Sequence, residues 1–453
     1  MKKDLDLFIS ITEKLLQAEI DDPVLKPVPI KQVLSELDLQ LADEPAVDSE
    51  FVKTLEELVL TTPRTATKLF FNQLFGGRQS RAVLGELLSV MLNGSMYTYK
   101  VGGPQVVMEK QILEKFAQLV GYGDDAHGTL APGGSMTNLM GMLMARDWKD
   151  PEARHEGVTK KMIAYTSEAC HYSVQKNAAF AGIGRSQVRF VATDDHGRMD
   201  VTELQKAVAA DVAAGHTPFM INATAGTTVI GAFDPLVEIS AVAKQYDLWL
   251  HVDGAYCGSA IFSERFKHLV KGSELADSFT LNAHKMLGTP LSCSLITVKD
   301  KKNLYSSFSQ AASYLYQTAD DEYNPGKISL QCGRRNDALK FWTLWKTIGT
   351  NGIEAAVDHQ FDLARYAKEY VKNHPDYTLY NDDDTIAVCF NYKGIDPKTL
   401  CNKLYEHGEI MVGYGKFREQ EFVRLITVNY DNSKADLDRF FEVMEQFAAD
   451  QNL

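Results

Sequence analysis

From about residue 130 onward, short apolar runs alternate with helical patterns, and this alternation restricts the fold more than any other feature of the chain. The runs are Met162–Thr166, Val188–Ala192, Phe219–Thr224, Leu248–Asp253, Ser278–Asn282 and Ser294–Val298. Continuous apolar stretches of strand length read as strands buried on both faces. Helical periodicity fills the gaps at Val201–Ala213, Pro235–Gln245 and Ser263–Leu269. The expected architecture is an α/β fold, a mostly parallel sheet with helices on both sides. Such folds collect ligands beyond the carboxyl ends of their strands, so the residues standing there decide the chemistry.

Two strand ends carry reactive groups. Asp253 closes the run Leu248-Trp249-Leu250-His251-Val252, and Asn282-Ala283-His284-Lys285 follows the next strand. A lysine amine forms a Schiff base with an aldehyde cofactor once it is partly deprotonated, which burial encourages. An acid beside the pyridine nitrogen then keeps that ring protonated as an electron sink. Each residue alone is ordinary; together they point to pyridoxal phosphate (PLP). Pro132-Gly133-Gly134-Ser135 precedes a predicted helix at Asn138–Arg146. That is either an anion site at a helix N-terminus or a plain cap by Ser135 or Thr137. His171, at a helix start beyond Met162–Thr166, suits a capping role as well as a site. Arg424 interrupts the apolar strand Phe422–Ile426, where its planar fork fits either a structural acid or a substrate carboxylate. Tyr314 lies in a long irregular stretch, Gln310–Lys327, of the kind that forms lids.

The first 55 residues carry amphipathic helical patterns broken by Pro23, Pro27 and Pro29, with too little apolar surface to fold alone. We expect a helical arm at 1–55, a large PLP-binding α/β domain at 56–345 and a small α+β domain at 346–453. The small domain should hold strands at Ile386–Asn391 and Val423–Val428, with helices at Pro397–Glu406 and Lys434–Ala448, after a helical stretch from Asp337 to Lys372. A net charge of −13 argues against nucleic acid or an anionic membrane as partner. No apolar run approaches the roughly 20 residues of a membrane span, and the acid-interrupted start carries no signal-like segment. Six scattered cysteines without a CxxC pair suit a reducing cytoplasm and no metal site.

In order along the chain stand Phe71-Asn72-Gln73-Leu74, Pro132-Gly133-Gly134, His171-Tyr172-Ser173, Asn222-Ala223-Thr224-Ala225-Gly226-Thr227-Thr228, Asp253-Gly254-Ala255, His284-Lys285 and Gln331-Cys332-Gly333-Arg334. With these motifs the chain resembles the group II PLP-dependent amino-acid decarboxylases, nearest to the glutamate, cysteine sulfinate and aspartate decarboxylases, from about Phe70 to beyond Arg424. The resemblance implies the fold-type I architecture, PLP as cofactor and a homodimer with active sites at the interface. It implies that Lys285 bonds the cofactor and Asp253 faces its ring nitrogen. His171 would stack on one ring face with Ala255 under the other, and Thr224 would lie near the phenolic side. Gly134 and Ser135 would hold the phosphate with help from Asn282 and His284. Tyr314 would reach the neighbouring subunit's site and protonate the substrate carbon, and Arg424 would bind a substrate carboxylate.

Gln73, Phe75, Ser95 and Tyr97 complete the implied substrate pocket. Phe75 and Ser95-x-Tyr97 resemble the cysteine sulfinate and aspartate branch rather than the glutamate branch, so a short acidic substrate is expected. Glutamate decarboxylation to 4-aminobutyrate is the alternative, ahead of an aminotransferase on the same fold or a non-catalytic scaffold. The family commonly has proline at Ala283 and alanine at Gly254; both differences should loosen the backbone slightly without removing a chemical group.

Overall fold

The structure is a computed structural model that describes residues 1–312, 316 and 321–453. It divides into two compact units. One comprises Met1–Gly77, Tyr366–Tyr380 and Val388–Leu453, the other Arg78–Arg365 and Asn381–Ala387.

The second unit is built on a seven-stranded sheet. Its strands are β1 (His127–Ala131), β2 (Met162–Ser167), β3 (Val188–Val191), β4 (Thr217–Thr224), β5 (Trp249–Gly254), β6 (Ser278–Asn282) and β7 (Ser294–Val298). The spatial order is β1-β7-β6-β5-β4-β2-β3. From β3 to β6 neighbouring strands are parallel, while β7 runs antiparallel to β6 and β1. Every residue of β2, β5, β6 and β7 is buried, so their sequences are continuous rather than alternating. Register sets the site: Thr224 pairs with Asp253 and Asn222 with His251, so β4 and β5 deliver Thr224 and Asp253 side by side at the carboxyl edge.

Strand β1 escaped the sequence pattern because Gly128 breaks its apolar run. A Cβ there would stand 2.5 Å from the Ile296 carbonyl oxygen. The glycine marks close approach to β7 rather than a turn. The helix expected at Asn138 begins a turn earlier and spans Gly134–Lys149, with Gly133 at φ +113° as its N-cap. Two glycines read as a breaker, yet one accepts the positive φ of the cap and the other sits where no intrahelical N–H bond is needed. Ser263–Leu269 forms no α-helix: short 3₁₀ turns lie at Gly258–Phe262 and Lys267–Val270. Between them the Ser263 hydroxyl accepts the Arg265 and Phe266 amides at 3.1 and 3.0 Å, a local alternative to helix bonds.

The first unit holds a four-stranded sheet of β8 (Tyr377–Leu379), β9 (Ala387–Tyr392), β10 (Gly413–Phe417) and β11 (Gln420–Ile426), ordered β10-β11-β9-β8. Helices Pro397–His407 and Lys434–Asp450 accompany it, capped by Asp396 and by a Ser433–Asp436 capping box. The N-terminal segment belongs to this unit. Lys14 pairs with Glu56 at 2.6 Å, and the Leu25 amide donates to the Gly408 carbonyl at 3.2 Å.

Candidate active site

A cavity of about 250 Å³ opens beyond β4, β5 and β6 in the second unit, lined among others by Gly134, Ser135, His171, Thr224, Asp253, Ala255, Asn282, His284 and Lys285. Nine expected site residues from five separate motifs thus meet in one place. Lys285 sits in the turn after β6, its backbone N–H bonded to the Asn282 carbonyl at 3.1 Å and its Nζ 5.8 Å from the centre of the Tyr256 ring. Its side chain stays partly accessible only because it opens onto the cavity. Burial pushes the amine down from its ordinary value, against the opposing pull of Asp253. A lysine with a depressed pKa is the nucleophile an aldehyde needs.

Asp253 accepts a hydrogen bond from Asn138 Nδ2 at 2.7 Å and from the Ala255 amide at 3.1 Å. Among the described residues no lysine or arginine forms an ion pair with this buried carboxylate. Such an acid suits a protonated ring nitrogen brought by a ligand. His171 Nδ1 accepts the Ser173 amide at 3.3 Å and lies 2.8 Å from its hydroxyl, which directs Nε2 toward the cavity. Burial lowers the imidazole's pKa, as does the charge of Lys285, while Asp253 works the other way. A neutral, flat ring is what stacking on an aromatic ligand requires.

The lysine turn is tied from behind. The Ala283 amide donates to the Cys293 carbonyl at 2.9 Å, and the Cys293 amide lies 3.0 Å from His284 Nδ1. His284 Nδ1 lies equally close to the Cys293 carbonyl, which fixes the ring, and burial drops its pKa to about 4. A proline at 283 could not make the first of these bonds, which gives alanine there a structural reason. Across the cavity, the first helical amides of Gly134–Lys149 have no intrahelical acceptors, and a Cβ at Gly134 would stand 2.7 Å from Asn282 Nδ2. Asn282 Oδ1 and Thr224 Oγ1 are buried without a partner. Free amides, an unmatched amide side chain and a glycine-lined approach fit a phosphate-bearing group at this end.

The substrate candidates fall in different places. Ser95 Oγ accepts the Arg334 amide at 3.1 Å and faces its carbonyl at 3.3 Å, while the Tyr97 carbonyl accepts the Gly326 amide at 2.9 Å. Gln73, Phe75 and Arg424 belong to the first unit. There Gln73 is exposed, Phe75 lies 6.3 Å from Phe70 between ring centres, and Arg424 Nη2 donates to the Asn72 carbonyl at 3.2 Å. Tyr314 lies outside the described residues. Sequence reasoning missed Asn138, Tyr172, Gly226, Thr228 and Tyr256, all of which line the cavity. Asn138 left no signal, because at the start of the predicted helix an asparagine is ordinary; only the earlier start at Gly134 places it inside.

The pyridoxal-dependent decarboxylase conserved domain matches residues 30–393. The chain belongs to this family. It is a PLP-dependent amino-acid decarboxylase. Mouse acidic amino acid decarboxylase GADL1 is 34% identical over 465 residues, covering 97% of this chain and 84% of the relative. Human cysteine sulfinic acid decarboxylase is 34% identical over 449 residues, covering 94% and 90%. The crystal structure of mouse CSAD in apo form superposes with a TM-score of 0.93 at 31% identity, covering 98% of this chain and 97% of that one. The fold is the fold-type I architecture expected from the sequence. The crystal structure of Oryza sativa TDC with PLP and tryptamine shares the fold, with a TM-score of 0.91 at 22% identity. Among the described residues no helix of this decarboxylase is long and apolar enough to cross a membrane.

Proposed function

We propose that this decarboxylase removes the α-carboxylate of a short acidic amino acid, cysteine sulfinate (to hypotaurine) or aspartate (to β-alanine), with glutamate as the poorer substrate. The observation that carries the chemistry is the convergence of Lys285, Asp253 and His171 on one cavity. Support for the acidic substrate comes from relatives whose names are acidic amino acid and cysteine sulfinic acid decarboxylases, at about one-third identity over nearly the whole chain.

In this reading PLP supplies an electron sink for the pair left behind when CO₂ departs. Lys285 would be the attachment point, its depressed pKa favouring the neutral amine that bonds the cofactor's aldehyde. Asp253 holds a proton on the ring nitrogen by fixed charge in a site shielded from water, an effect that often dominates rate enhancement. His171 covers one face and Ala255 the other, which orients the scissile bond. Gly134, Ser135, Asn282 and His284 hold the phosphate end. Tyr314 delivers a proton to the substrate carbon from the neighbouring subunit, and Arg424 receives a substrate carboxylate, with Gln73, Phe75, Ser95 and Tyr97 shaping the pocket.

The same reading has the enzyme act as a cytoplasmic homodimer. The dimer is supported by exposed apolar side chains on the helix Ser80–Leu92, including Leu84, Leu88 and Met91; such a face asks for a partner. The cytoplasm is supported by six free cysteines. The deciding experiment measures CO₂ released by the PLP-loaded enzyme from cysteine sulfinate, aspartate and glutamate side by side. Stoichiometric keto acid without CO₂ would replace decarboxylation by amino transfer, and a preference for glutamate would overturn the substrate assignment.

A further inference from the structure

Behind Asp253 runs a chain of buried polar groups, of which Asn138 and Asp253 line the cavity while His251, Ser278 and Trp249 lie behind them. Trp249 Nε1 donates to Ser278 Oγ at 2.9 Å, and Ser278 Oγ lies 2.7 Å from His251 Nδ1. His251 Nε2 is 3.0 Å from Asn138 Oδ1, and Asn138 Nδ2 donates to Asp253 Oδ2 at 2.7 Å. His251 and Ser278 are fully buried, Trp249, Asn138 and Asp253 nearly so. The helix carrying Asn138 presses directly on the imidazole, since a Cβ at Gly141 would stand 2.8 Å from His251 Nδ1. The ring therefore has one seat.

With His251 neutral and Asp253 ionised, only one proton arrangement satisfies every link. A carboxylate offers only acceptors, so Asn138 must turn its NH₂ toward Asp253 and its carbonyl toward His251. That carbonyl needs a donor, so His251 carries its proton on Nε2 and is bare at Nδ1. The bare nitrogen accepts the Ser278 hydroxyl, whose oxygen receives the Trp249 N–H. Running the chain backwards would set Asn138 Oδ1 against a carboxylate oxygen 2.7 Å away, a contact that requires a protonated Asp253. The imidazole can hold this neutral form because burial lowers its pKa to about 4.

We propose that His251 is a positioning residue: a neutral, Nε2-protonated imidazole that locks the Asn138 amide and thereby fixes the Asp253 carboxylate in orientation, aimed at the cofactor ring. The inference rests on reading Asp253 as the acid that faces the ring nitrogen. A donor chain ending on the carboxylate also fixes its rotation, so the ring meets an acid already oriented rather than one that must turn.

The test begins with the unmodified holoenzyme. Its ¹⁵N-imidazole NMR spectrum at neutral pH, with His251 assigned by the signal lost in His251→Gln, should show Nε2 protonated and Nδ1 bare. A proton on Nδ1, or an imidazolium, overturns the proposal without any variant having to fold. The second arm compares cofactor release during dialysis, together with kcat and KM, for His251→Gln, Ser278→Ala and Asp253→Asn. By analogy with the partners that orient metal ligands, the first two should speed release and lower kcat by roughly 10–100-fold, with KM for the amino acid within about twofold of the parent. If Asp253→Asn retains cofactor and turnover like the parent, the role of Asp253 itself is wrong. If Asp253→Asn fails while His251→Gln and Ser278→Ala match the parent, Asp253 keeps its role and the positioning chain is refuted.

Discussion

Gly254 and Phe279 occupy each other's space: a Cβ on Gly254 would stand 2.6 Å from Phe279 Cε1 and 2.7 Å from the Thr280 carbonyl oxygen. Glycine at 254 therefore answers a packing demand between β5 and β6, beyond the slight loosening expected from sequence. Phe279 is itself wedged against Phe116, with ring centres 5.8 Å apart. Replacing Gly254 by alanine should destabilise the enzyme by about 1–3 kcal/mol, the usual range for overpacking, and displace its neighbour Asp253. Adding Phe279→Leu should recover only part of the loss, because the Thr280 carbonyl remains. Denaturant melts of the two variants provide the check, and full recovery would show that the ring alone forbids the methyl.

Lys285→Ala should abolish turnover and the covalent attachment of cofactor, because among the described residues no other amine lines the cavity. Borohydride treatment of the parent followed by mass mapping should place the reduced adduct on the peptide containing Lys285. An adduct elsewhere, or near-parental rates in the variant, would remove Lys285 from its role.

The large sheet was legible because burial on both faces left unbroken apolar runs, and β6 and β7 fall where the sequence put them. What the pattern could not show is partnership. Nothing around Asn138 announces Asp253, which lies far along the chain and meets it only after β5 and the helix have packed. Ser263 illustrates the converse: its hydroxyl captures two amides that helical periodicity had assigned to a helix. The lysine and aspartate of the site were readable from strand ends alone. Roles for Tyr314 and Arg424 came from family resemblance, since a loop tyrosine and a strand arginine carry no local signature of their use.

Acid should weaken the fold through His284. Its unfolded value is 6.5 and its folded value about 4. Between those pH values the unfolded chain holds the extra proton, so stability falls as pH drops. Asp234 has the opposite sign. Burial raises its carboxyl from 3.8 to about 6 while it accepts the Met199 and Thr224 amides. The folded state therefore takes up that proton first, and stability is gained as pH falls through 6. A variant difference isolates one group: moving from pH 6.5 to 5, the parent should lose about 2 kcal/mol more than His284→Gln. Parallel pH profiles for the two proteins would show that His284 is not the buried neutral base described above.

Substrate choice should respond to a pair outside the cavity. Arg334 and Glu109 are both buried and joined by two hydrogen bonds, at 2.6 and 3.0 Å. The backbone of Arg334 in turn grips Ser95 and accepts the Met96 amide at 2.8 Å. The segment Ser95–Tyr97, proposed to shape the pocket for a short acid, is thus held by an ion pair that contacts none of the expected catalytic groups. One methylene of substrate length is worth roughly 10–200-fold in kcat/KM, so the parent should prefer cysteine sulfinate or aspartate over glutamate within that range. Glu109→Gln keeps the shape and one acceptor but removes the charge, leaving Arg334 uncompensated in a buried site. It should compress the preference for the shorter acid several-fold while leaving cofactor retention at the parental level, since neither partner lines the cavity. Phe75→Ser combined with Ser95→Asn should shift the same ratio toward glutamate, and Arg424→Lys should weaken all three substrates because a lysine cannot reproduce the planar fork. An unchanged ratio in both Glu109→Gln and the double variant would show that the Ser95–Tyr97 segment does not set the length of the substrate.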